Sequence, residues 1–483
     1  MQGPYDEHLM ASQKTKTKIV CTIGPATSSS HMLRRLIDGG MNVARLNFSH
    51  GTIQEHAAQI RLIRTVARER KAAIGILADL PGPKIRVGRV SPEPVDLRSG
   101  SQLILAARHL IGNQSIVSIS HPSILKHLRK GDRVFLEDGT VRLEVLSARK
   151  EEAACRIVTG GPLSSGKGVN LPDKGLKPGA LTRRDIDLLK FAVANGADFV
   201  GISFVTTTKD LLRAKRIVNA ANSRAWIIAK IETRMAVENI EDIVRKANGV
   251  MVARGDLGVE MDVEDIPALQ KEIISKSNAA GKPVITATQM LESMVNNPTP
   301  TRAEVTDIAN AIIDGTDAVM LSEETAVGKY PVEAVNVMRR VAAATEKNLA
   351  YGTLLDARRS SVRPIVQESI SFSACEVAFA LKAGCIVAST RTGLTAHRVS
   401  KYRSSVPIIA LTYNVPVMNR LSLLWGVYPY RVKKLDTTAE IFAAAKTAAK
   451  HSGTVREGDK IVVVCGDPSS PGGTTDLLRV QPT

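Results

Sequence analysis

Eight short apolar runs recur along this chain, and each of them ends in polar residues. They lie at residues 19–23, 43–46, 74–77, 199–204, 227–231, 250–252, 284–287 and 318–321. Segments with helical periodicity separate most of them. Apolar runs of this length are typical of buried strands, and strands that alternate with helices favour a parallel sheet. Eight such units predict a (β/α)₈ barrel.

The polar residues that end these runs form one set. In a (β/α)₈ barrel the carboxyl ends of the strands share one face, and active sites are built on that face. The sequence therefore predicts an active site formed from Arg45, Asn47, Ser49, Asp79, Lys230, Glu232, Asp256, Thr288, Ser322 and Glu324.

The charged residues of this set that are most informative about function are Lys230, Glu232 and Asp256. Charges at the ends of buried strands are costly unless they are paired or bound to a metal. Two carboxylates beside a lysine suit a hard divalent cation next to a phosphate. A structural ion cluster is the alternative. Gly255 permits close backbone approach to an anion, and its amide would cradle a carboxylate if a short helix begins there.

A long insertion separates the third and fourth runs. Strand-like segments at residues 95–97, 102–105, 133–136, 141–146 and 155–158 alternate there with glycine and proline turns. A connection of this length needs structure of its own. We therefore expect a small β-barrel lid domain at residues 87–174, placed over the active face of a barrel formed by residues 15–86 and 175–349.

The remaining chain divides into a leader and a second folded unit. Residues 1–14 are expected to be a flexible leader. From residue 350 to residue 483, strands at 385–389, 406–411 and 460–465 alternate with helices such as 439–450, which predicts a C-terminal α/β domain. Residues 390–395 follow one of its strands. Their hydroxyls and amides would suit a phosphate, although an ordinary capped turn explains them equally well.

Charge and composition limit the classes of partner. The net charge is +18, but the basic residues are dispersed and aromatic residues make up only 4% of the chain. Such a surface favours attraction of phosphorylated metabolites over nucleic-acid binding. No apolar run is long enough to span a bilayer, and the N-terminus lacks a signal-peptide core. Five scattered cysteines indicate free thiols and a cytoplasmic protein.

One glycine-rich segment partly matches a phosphate-binding loop. Residues 161–167 resemble a Walker A motif, but Gly168 occupies the Ser/Thr position. The following residues, 169–172, cannot open the helix whose amides such a loop needs. We interpret this segment as a glycine-rich hinge.

Longer motifs identify a family. They are TKIVCTIGP at 17–25, NVARLNFSHG at 42–51, GPKIR at 82–86, IAKIE at 228–232, RGDLG at 254–258, ATQMLESM at 287–294 and PTRAE at 300–304. Over residues 15–483 the chain resembles pyruvate kinase. The resemblance implies transfer of the phosphoryl group of phosphoenolpyruvate to ADP, giving pyruvate and ATP in the last step of glycolysis. It also implies a homotetramer.

The resemblance implies roles for the residues of the site. Lys230 neutralises the phosphoryl group in flight, which suits a loose transition state. Arg45 and Arg86 contact the transferring phosphate. Glu232 and Asp256 bind Mg²⁺ or Mn²⁺. Further positions match the substrate side (Ala253, Arg254, Gly255), the proton-transfer side (Thr288, Ser322, Glu324) and the nucleotide side (Pro25, Asn47, His50, Arg86, Arg184).

One departure from the family pattern concerns potassium. Many members carry Thr-Lys-Gly-Pro-Glu after the aspartate and need potassium, whereas this chain has Leu80 directly after Asp79 and Lys84 in place of the glutamate. We expect the Lys84 ammonium to replace potassium at a monovalent-cation site formed by Asn47, Ser49, Asp79 and Leu80. Potassium should then not be required.

A second departure concerns an allosteric effector. The loop with Thr390, Arg391, Thr392, Gly393 and Thr395 resembles that of members activated by fructose bisphosphate. The closing loop at residues 466–473 lacks their Trp and their Arg or Lys, and Asp467 would repel a second phosphate. We therefore expect a sugar monophosphate or AMP as the effector.

Two alternative functions remain at this point. A lyase that uses phosphoenolpyruvate would need neither the lid nor the nucleotide-side residues. A basic scaffold or nucleic-acid binder would use the barrel without catalysis, and its binding to a duplex should survive moderate salt.

Overall fold

The computed structural model describes residues 15–171, 180–468 and 474–483. The expected leader at residues 1–14 lies outside these ranges, as do residues 172–174 of the expected insertion. None of the described helices is long and apolar enough to cross a membrane.

The chain begins with three strands of a parallel barrel. They are β1 (Lys18–Thr22), β2 (Val43–Asn47) and β3 (Gly75–Asp79). Helices α1 (Ser30–Gly39) and α2 (Ile53–Glu69) connect them. Thr52 and Glu55 form a capping box that fixes the start of α2.

An inserted β domain follows β3. Its strands are β4 (Val95–Leu97), β5 (Gln102–Ala106), β6 (Ile116–Ser118), β7 (Arg133–Leu136), β8 (Val141–Ala148), β9 (Glu152–Thr159), β10 (Gly161–Leu163) and β11 (Val169–Asn170). They form a six-stranded sheet in the order β11-β7-β8-β9-β5-β6 and a two-stranded sheet of β10 and β4. The Walker-like segment thus begins as a strand, and short 3₁₀ turns cover Pro122–His127 and Glu137–Gly139.

Five more strands complete the barrel. They are β12 (Phe199–Ile202), β13 (Trp226–Ile231), β14 (Gly249–Ala253), β15 (Val284–Ala287) and β16 (Ala318–Leu321). The order β1-β16-β15-β14-β13-β12-β3-β2 closes through parallel pairing of β1 with β16. The (β/α)₈ prediction is confirmed.

Helices surround the barrel on its outer side. They are α3 (Arg183–Ala194), α4 (Thr208–Ala220), α5 (Arg234–Glu238), α6 (Ile240–Lys246), α7 (Arg254–Glu260), α8 (Ile266–Ala279), α9 (Arg302–Asp314), α10 (Glu323–Ala326) and α11 (Pro331–Lys347). Further 3₁₀ turns cover Val263–Asp265 and Glu292–Val295. The strands are buried on both faces, between these helices and an inner core that includes Val43, Phe199 and Met251. Burial on both faces explains their continuous apolar runs.

The C-terminal domain is an α/β sandwich, as predicted. Its helices are α12 (Tyr351–Arg359), α13 (Val366–Ala380), α14 (Leu394–Lys401), α15 (Val415–Leu421) and α16 (Thr438–His451). Its strands are β17 (Cys385–Ser389), β18 (Ile408–Thr412), β19 (Val427–Arg431), β20 (Lys460–Cys465) and β21 (Leu477–Pro482), in the order β19-β18-β17-β20-β21. The sequence patterns did not identify β19 or β21.

Strand β12 ends earlier than its apolar run predicts. The run 199–204 predicted a strand to residue 204, but β12 ends at Ile202. Ser203 instead donates its hydroxyl to the Leu80 carbonyl at 2.7 Å, and Phe204 has a positive φ of 54°. The chain therefore turns away from the sheet two residues before the apolar run ends.

Candidate active site

Lys230 lies at the centre of the charged cluster at the carboxyl end of the barrel. Its Nζ lies 2.8 Å from Glu232 Oε1 and 3.2 Å from Asp79 Oδ1, and it donates to Ser203 Oγ at 2.7 Å. Burial alone would lower the pKa of Lys230, but the carboxylates of Asp79 and Glu232 outweigh it and raise that pKa. The ammonium is therefore fixed in place and stays protonated.

Arg45 and Asp79 form a second buried pair beside this lysine. Arg45 donates through Nε and Nη2 to Asp79 Oδ2, at 2.7 Å and 2.6 Å, and through Nη1 to Thr22 Oγ1. Burial would raise the pKa of Asp79, but Lys230 and Arg45 together lower it. Asp79, at the end of β3, thus binds the cations of β2 and β13 at the same face of the barrel.

Glu232 and Asp256 suit a divalent cation. Glu232 is buried and accepts the Phe204 amide on Oε2 at 2.6 Å. Burial, aided by the nearby negative charge of Asp256, raises the pKa of Glu232 despite Lys230. A metal ion would relieve this repulsion. No group of three or more His, Cys, Asp or Glu side chains able to hold a metal occurs in the described ranges. Glu232 and Asp256 would supply two carboxylate oxygens to a hard cation, which in proteins commonly keeps water or substrate oxygens as its other ligands.

Lys84 lies beside Asp256 at the edge of the cluster. Its Nζ lies 3.6 Å from Asp256 Oδ1, and both side chains are about 30% exposed. The Asp79 carboxylate, which we expected to belong to the monovalent-cation site, is bound by Arg45 and Lys230. Asn47 Oδ1 accepts the Ser49 amide at 3.1 Å, and Leu80 is buried.

Thr288 has an unusual backbone conformation. Its φ is 68°, and that of Gln289 is 56°. A β-branched residue in this region is a genuine outlier that costs about 1–3 kcal/mol. The Thr288 Oγ1 accepts the Gly255 amide at 2.8 Å and donates to the Ala287 carbonyl at 2.6 Å. The hydroxyl is therefore held at the mouth of the barrel.

Ser322 and Glu324 lie after the last strand of the barrel. Glu324 is buried and accepts the Ser322 amide at 2.6 Å and the Leu291 amide at 3.0 Å. Burial raises the pKa of Glu324 above its ordinary value. The Ser322 hydroxyl is buried and has no hydrogen-bond partner among the described residues. It is free to bind a water molecule or a substrate atom.

The residues expected on the nucleotide side are more exposed. Pro25, His50, Arg86 and Arg184 all have exposed side chains. Arg86 Nη1 donates to the Gly166 carbonyl of the inserted domain at 2.8 Å. Arg86 and Arg45, which were expected to contact one phosphate, therefore bind different partners here.

The threonine loop of the C-terminal domain lines a cavity of about 160 Å³. Thr390 Oγ1 accepts the Gly393 amide at 2.9 Å, and Thr395 shares a hydrogen bond with Thr475. Residues 469–473 of the closing loop lie outside the described residues. The loop after β19 brings Lys433 and Lys434 to the cavity wall, and these two cations were not expected from the sequence.

Two further residues of the site were missed. Ser203, which binds Lys230, lies inside the run 199–204 but directly after β12, so the strand-end rule would have found it once the strand was ended at Ile202. The other is Asp307, whose Oδ1 accepts a hydrogen bond from Arg254 Nη1 at 2.6 Å. It lies within helix α9, where no strand-end signal exists. The Arg254 side chain, which was expected on the substrate side, binds Asp307 and the Thr288 carbonyl.

Comparison with known proteins gives one consistent result. The pyruvate kinase barrel-domain model matches residues 14–335, and the pyruvate kinase alpha/beta-domain model matches residues 368–481. Pyruvate kinase 2 of Synechocystis sp. is 44% identical over 96% of this chain and 79% of its own length. Pyruvate kinase of Thermococcus litoralis is 41% identical over 96% and 98%. A crystal structure of a pyruvate kinase from Cryptosporidium parvum matches with a TM-score of 0.92 and 37% identity, over 99% of this chain and 98% of that one.

Proposed function

This chain belongs to the pyruvate kinase family, and we propose that the residues around Lys230 carry out its reaction. The enzyme is a phosphotransferase. It transfers the phosphoryl group of phosphoenolpyruvate to ADP, giving pyruvate and ATP, and it uses a divalent metal. The observation that supports the assignment best is the ammonium of Lys230, held by Asp79, Glu232 and Ser203 at the barrel mouth.

Phosphoryl transfer depends mainly on positioned positive charge. Lys230 and Arg45 are already oriented by their buried partners, so little reorganisation is needed when charge develops on the phosphoryl oxygens. Mg²⁺ or Mn²⁺ on Glu232 and Asp256 supplies further positive charge when bound. The substrate carboxylate lies at the start of α7, at Ala253–Asp256, where the Gly255 amide that donates to Thr288 Oγ1 keeps the threonine beside it.

The proton that converts the enol to pyruvate comes from the other side of the site. Thr288 places its hydroxyl there, acting with a water molecule rather than alone. The unpartnered hydroxyl of Ser322 and the protonatable carboxyl of Glu324 support a water network for this proton.

ADP lies on the exposed side, along Pro25, Asn47, His50, Arg86 and Arg184. Arg86 bridges to the inserted domain through Gly166. Closure of that domain over the barrel brings Arg86 to the phosphates. We further place the enzyme in the cytoplasm, since all five cysteines are free and buried.

Regulation resides in the C-terminal cavity. A sugar monophosphate or AMP binds there through Thr390, Arg391, Thr392, Gly393 and Thr395, in a homotetramer. Lys433 and Lys434 line the same cavity and add positive charge that would attract the phosphate of such an effector.

The catalytic assignment is tested with Lys230→Met. We expect ATP formation from phosphoenolpyruvate and ADP to fall by about two to three orders of magnitude, because one preorganised cation is lost. Lys282→Met is the matched control. Lys282 is a half-buried lysine of the barrel that precedes β15 and binds the Ala247 carbonyl at the opposite end from Lys230. Most of the turnover surviving in Lys230→Met would refute the assignment.

The same assay separates the kinase from a lyase. Consumption of phosphoenolpyruvate should stop when ADP is omitted. A lyase would continue to consume it together with a second carbon substrate.

A further inference from the structure

The conformation of Thr288 requires support from its surroundings. Thr288 and Gln289 both have positive φ values, 68° and 56°. Side chains branched at Cβ rarely adopt this region, and such residues persist where neighbouring groups over-determine them. Whatever holds this turn also determines where the Thr288 hydroxyl lies.

The Arg254 guanidinium is the group that holds the turn. Its Nη2 donates to the Thr288 carbonyl at 2.6 Å and lies 3.4 Å from Met290 Sδ. The amide of the next residue, Gly255, donates to Thr288 Oγ1 at 2.8 Å. The backbone and the hydroxyl of Thr288 are thus both fixed from the start of α7.

Arg254 is itself anchored by a carboxylate. Its side chain is 9% exposed, and Nη1 donates to Asp307 Oδ1 at 2.6 Å. The neutral oxygen of Gln270 is a weaker partner at 3.4 Å. A guanidinium at this depth needs a counter-charge, since loss of one partner leaves a buried ion uncompensated. Asp307, on helix α9, supplies that charge from the wall of an outer groove.

We propose that Asp307 is a positioning residue for the proton-transfer half of the reaction. It holds Arg254, and Arg254 holds Thr288 in its left-handed conformation. The inference rests on the role proposed above for Thr288. Phosphoryl transfer depends on Lys230 and Arg45, which lie on strands β13 and β2 and have their own buried partners. Loss of the Asp307 charge should therefore slow the proton step far more than the phosphoryl step.

Two measurements separate the steps. Pyruvate is incubated with the enzyme, Mg²⁺ and ATP in D₂O, and loss of the C3–H signal is followed by proton NMR. In this exchange a C3–H bond breaks, the proton passes to a base in the site, and the electron pair forms the enolate, which then takes a deuteron. The phosphoryl step is followed in a single turnover, as ATP formed from phosphoenolpyruvate and ADP before the enolate is protonated, with a detector that does not depend on pyruvate.

In Asp307→Asn we expect C3–H exchange to fall at least about ten-fold, because small displacements of positioned groups cost up to about 100-fold. ATP formation should fall less than about three-fold. Asp307→Glu keeps the charge and should recover part of the exchange. Glu264→Gln removes a charge from an exposed turn between α7 and α8 and should change neither rate.

Equal loss of both rates in Asp307→Asn, or unchanged exchange, would overturn the inference. Thermal unfolding shows whether the variant is folded, and Asp307→Ser provides a second removal of the charge if Asn does not fold. Thr288→Ala separates this result from the proposed function. If Thr288→Ala leaves exchange intact, the role of Thr288 fails. If Thr288→Ala suppresses exchange and Asp307→Asn does not, only the role of Asp307 fails.

Discussion

Lys18 and Lys230 are both buried lysines of the barrel, yet their surroundings move their pKa values in opposite directions. Lys18 donates to the Val427 carbonyl at 2.7 Å and lies over the Tyr428 ring, and burial lowers its pKa to about 7 although Glu346 opposes this. Lys230 has two carboxylates within 3.2 Å, and its pKa is raised. Of these two buried lysines, Lys230 is therefore the one whose surroundings favour the charged form beside a phosphoryl group.

The expected potassium independence depends on a single residue, Lys84. Lys84 lies 3.6 Å from Asp256, so its ammonium adds a cation to the site, and a bound potassium ion nearby would be repelled. Turnover with Mg²⁺ should be nearly the same in potassium-free buffer as in potassium chloride at matched ionic strength. Lys84→Glu should lose activity without potassium and regain some with it, although Leu80 limits the rescue.

The comparison must use a large organic cation in place of potassium to keep ionic strength constant. A parent enzyme that loses ten-fold or more under this exchange, about 1.4 kcal/mol in the barrier, would show that Lys84 does not play this role.

Individual site residues were predictable where the barrel imposes a rule. The rule that polar residues follow buried strands selected Lys230, Glu232 and Thr288 from the sequence alone. It could not select Asp307, which lies within helix α9 and meets Arg254 only through the packing of α9 beside the strands. Side chains that act through a neighbour carry no periodic signal of their own.

Among the strands, those of the barrel were easier to predict than the edge strands of the C-terminal sheet. Barrel strands are buried on both faces and read as continuous apolar runs. Strand β21 has a mostly exposed or half-exposed pattern at the edge of its sheet, and β19 contains Pro429, so neither resembles a buried strand. Both strands lie at the edges of the sheet, and because edge position depends on the tertiary fold, their sequences did not predict them.

Helix α14 and the loop before it carry the prediction about regulation. Gly393 has a φ of 96° and receives support from Thr390, which leaves the exposed Thr392 at the cavity. Thr392→Glu should abolish activation by AMP or sugar monophosphates and spare basal turnover, because its negative charge excludes phosphate. The measurement is the phosphoenolpyruvate concentration at half-maximal rate, with and without each compound.

Thr447→Glu is the control for this prediction, since Thr447 is exposed on α16 of the same domain. It should respond to the effector like the parent. Tight activation by fructose 1,6-bisphosphate that is lost on changing Asp467 would contradict the preference for a monophosphate.

At the scale of the whole molecule, the order of the folded units was predictable, but their contacts were not. Asp317 precedes β16 of the barrel, and Arg403 follows α14 of the C-terminal domain. They pair at 2.6 Å and 2.9 Å with both side chains buried, and Arg403 also binds Asn278 and the Gly315 carbonyl. Eighty-six residues separate the two partners. No local pattern indicates such a pair, because each side chain alone resembles an ordinary surface charge.

This pair predicts how the two domains depend on each other. Arg403→Met leaves Asp317 buried without its cation and should lower the free energy of unfolding by about 3–5 kcal/mol. Urea unfolding followed by tryptophan fluorescence measures this, because both tryptophans lie at the contact between the domains. Trp226 of barrel strand β13 lies against His397, and the Arg403 guanidinium lies over the Trp425 ring. The C-terminal domain should separate first, so the fluorescence change should begin at lower urea. Arg34→Met breaks an exposed bridge to Glu69 and should cost less than about 1 kcal/mol. If Arg403→Met unfolds like the parent and the Arg34→Met control, the buried pair does not hold the domains together.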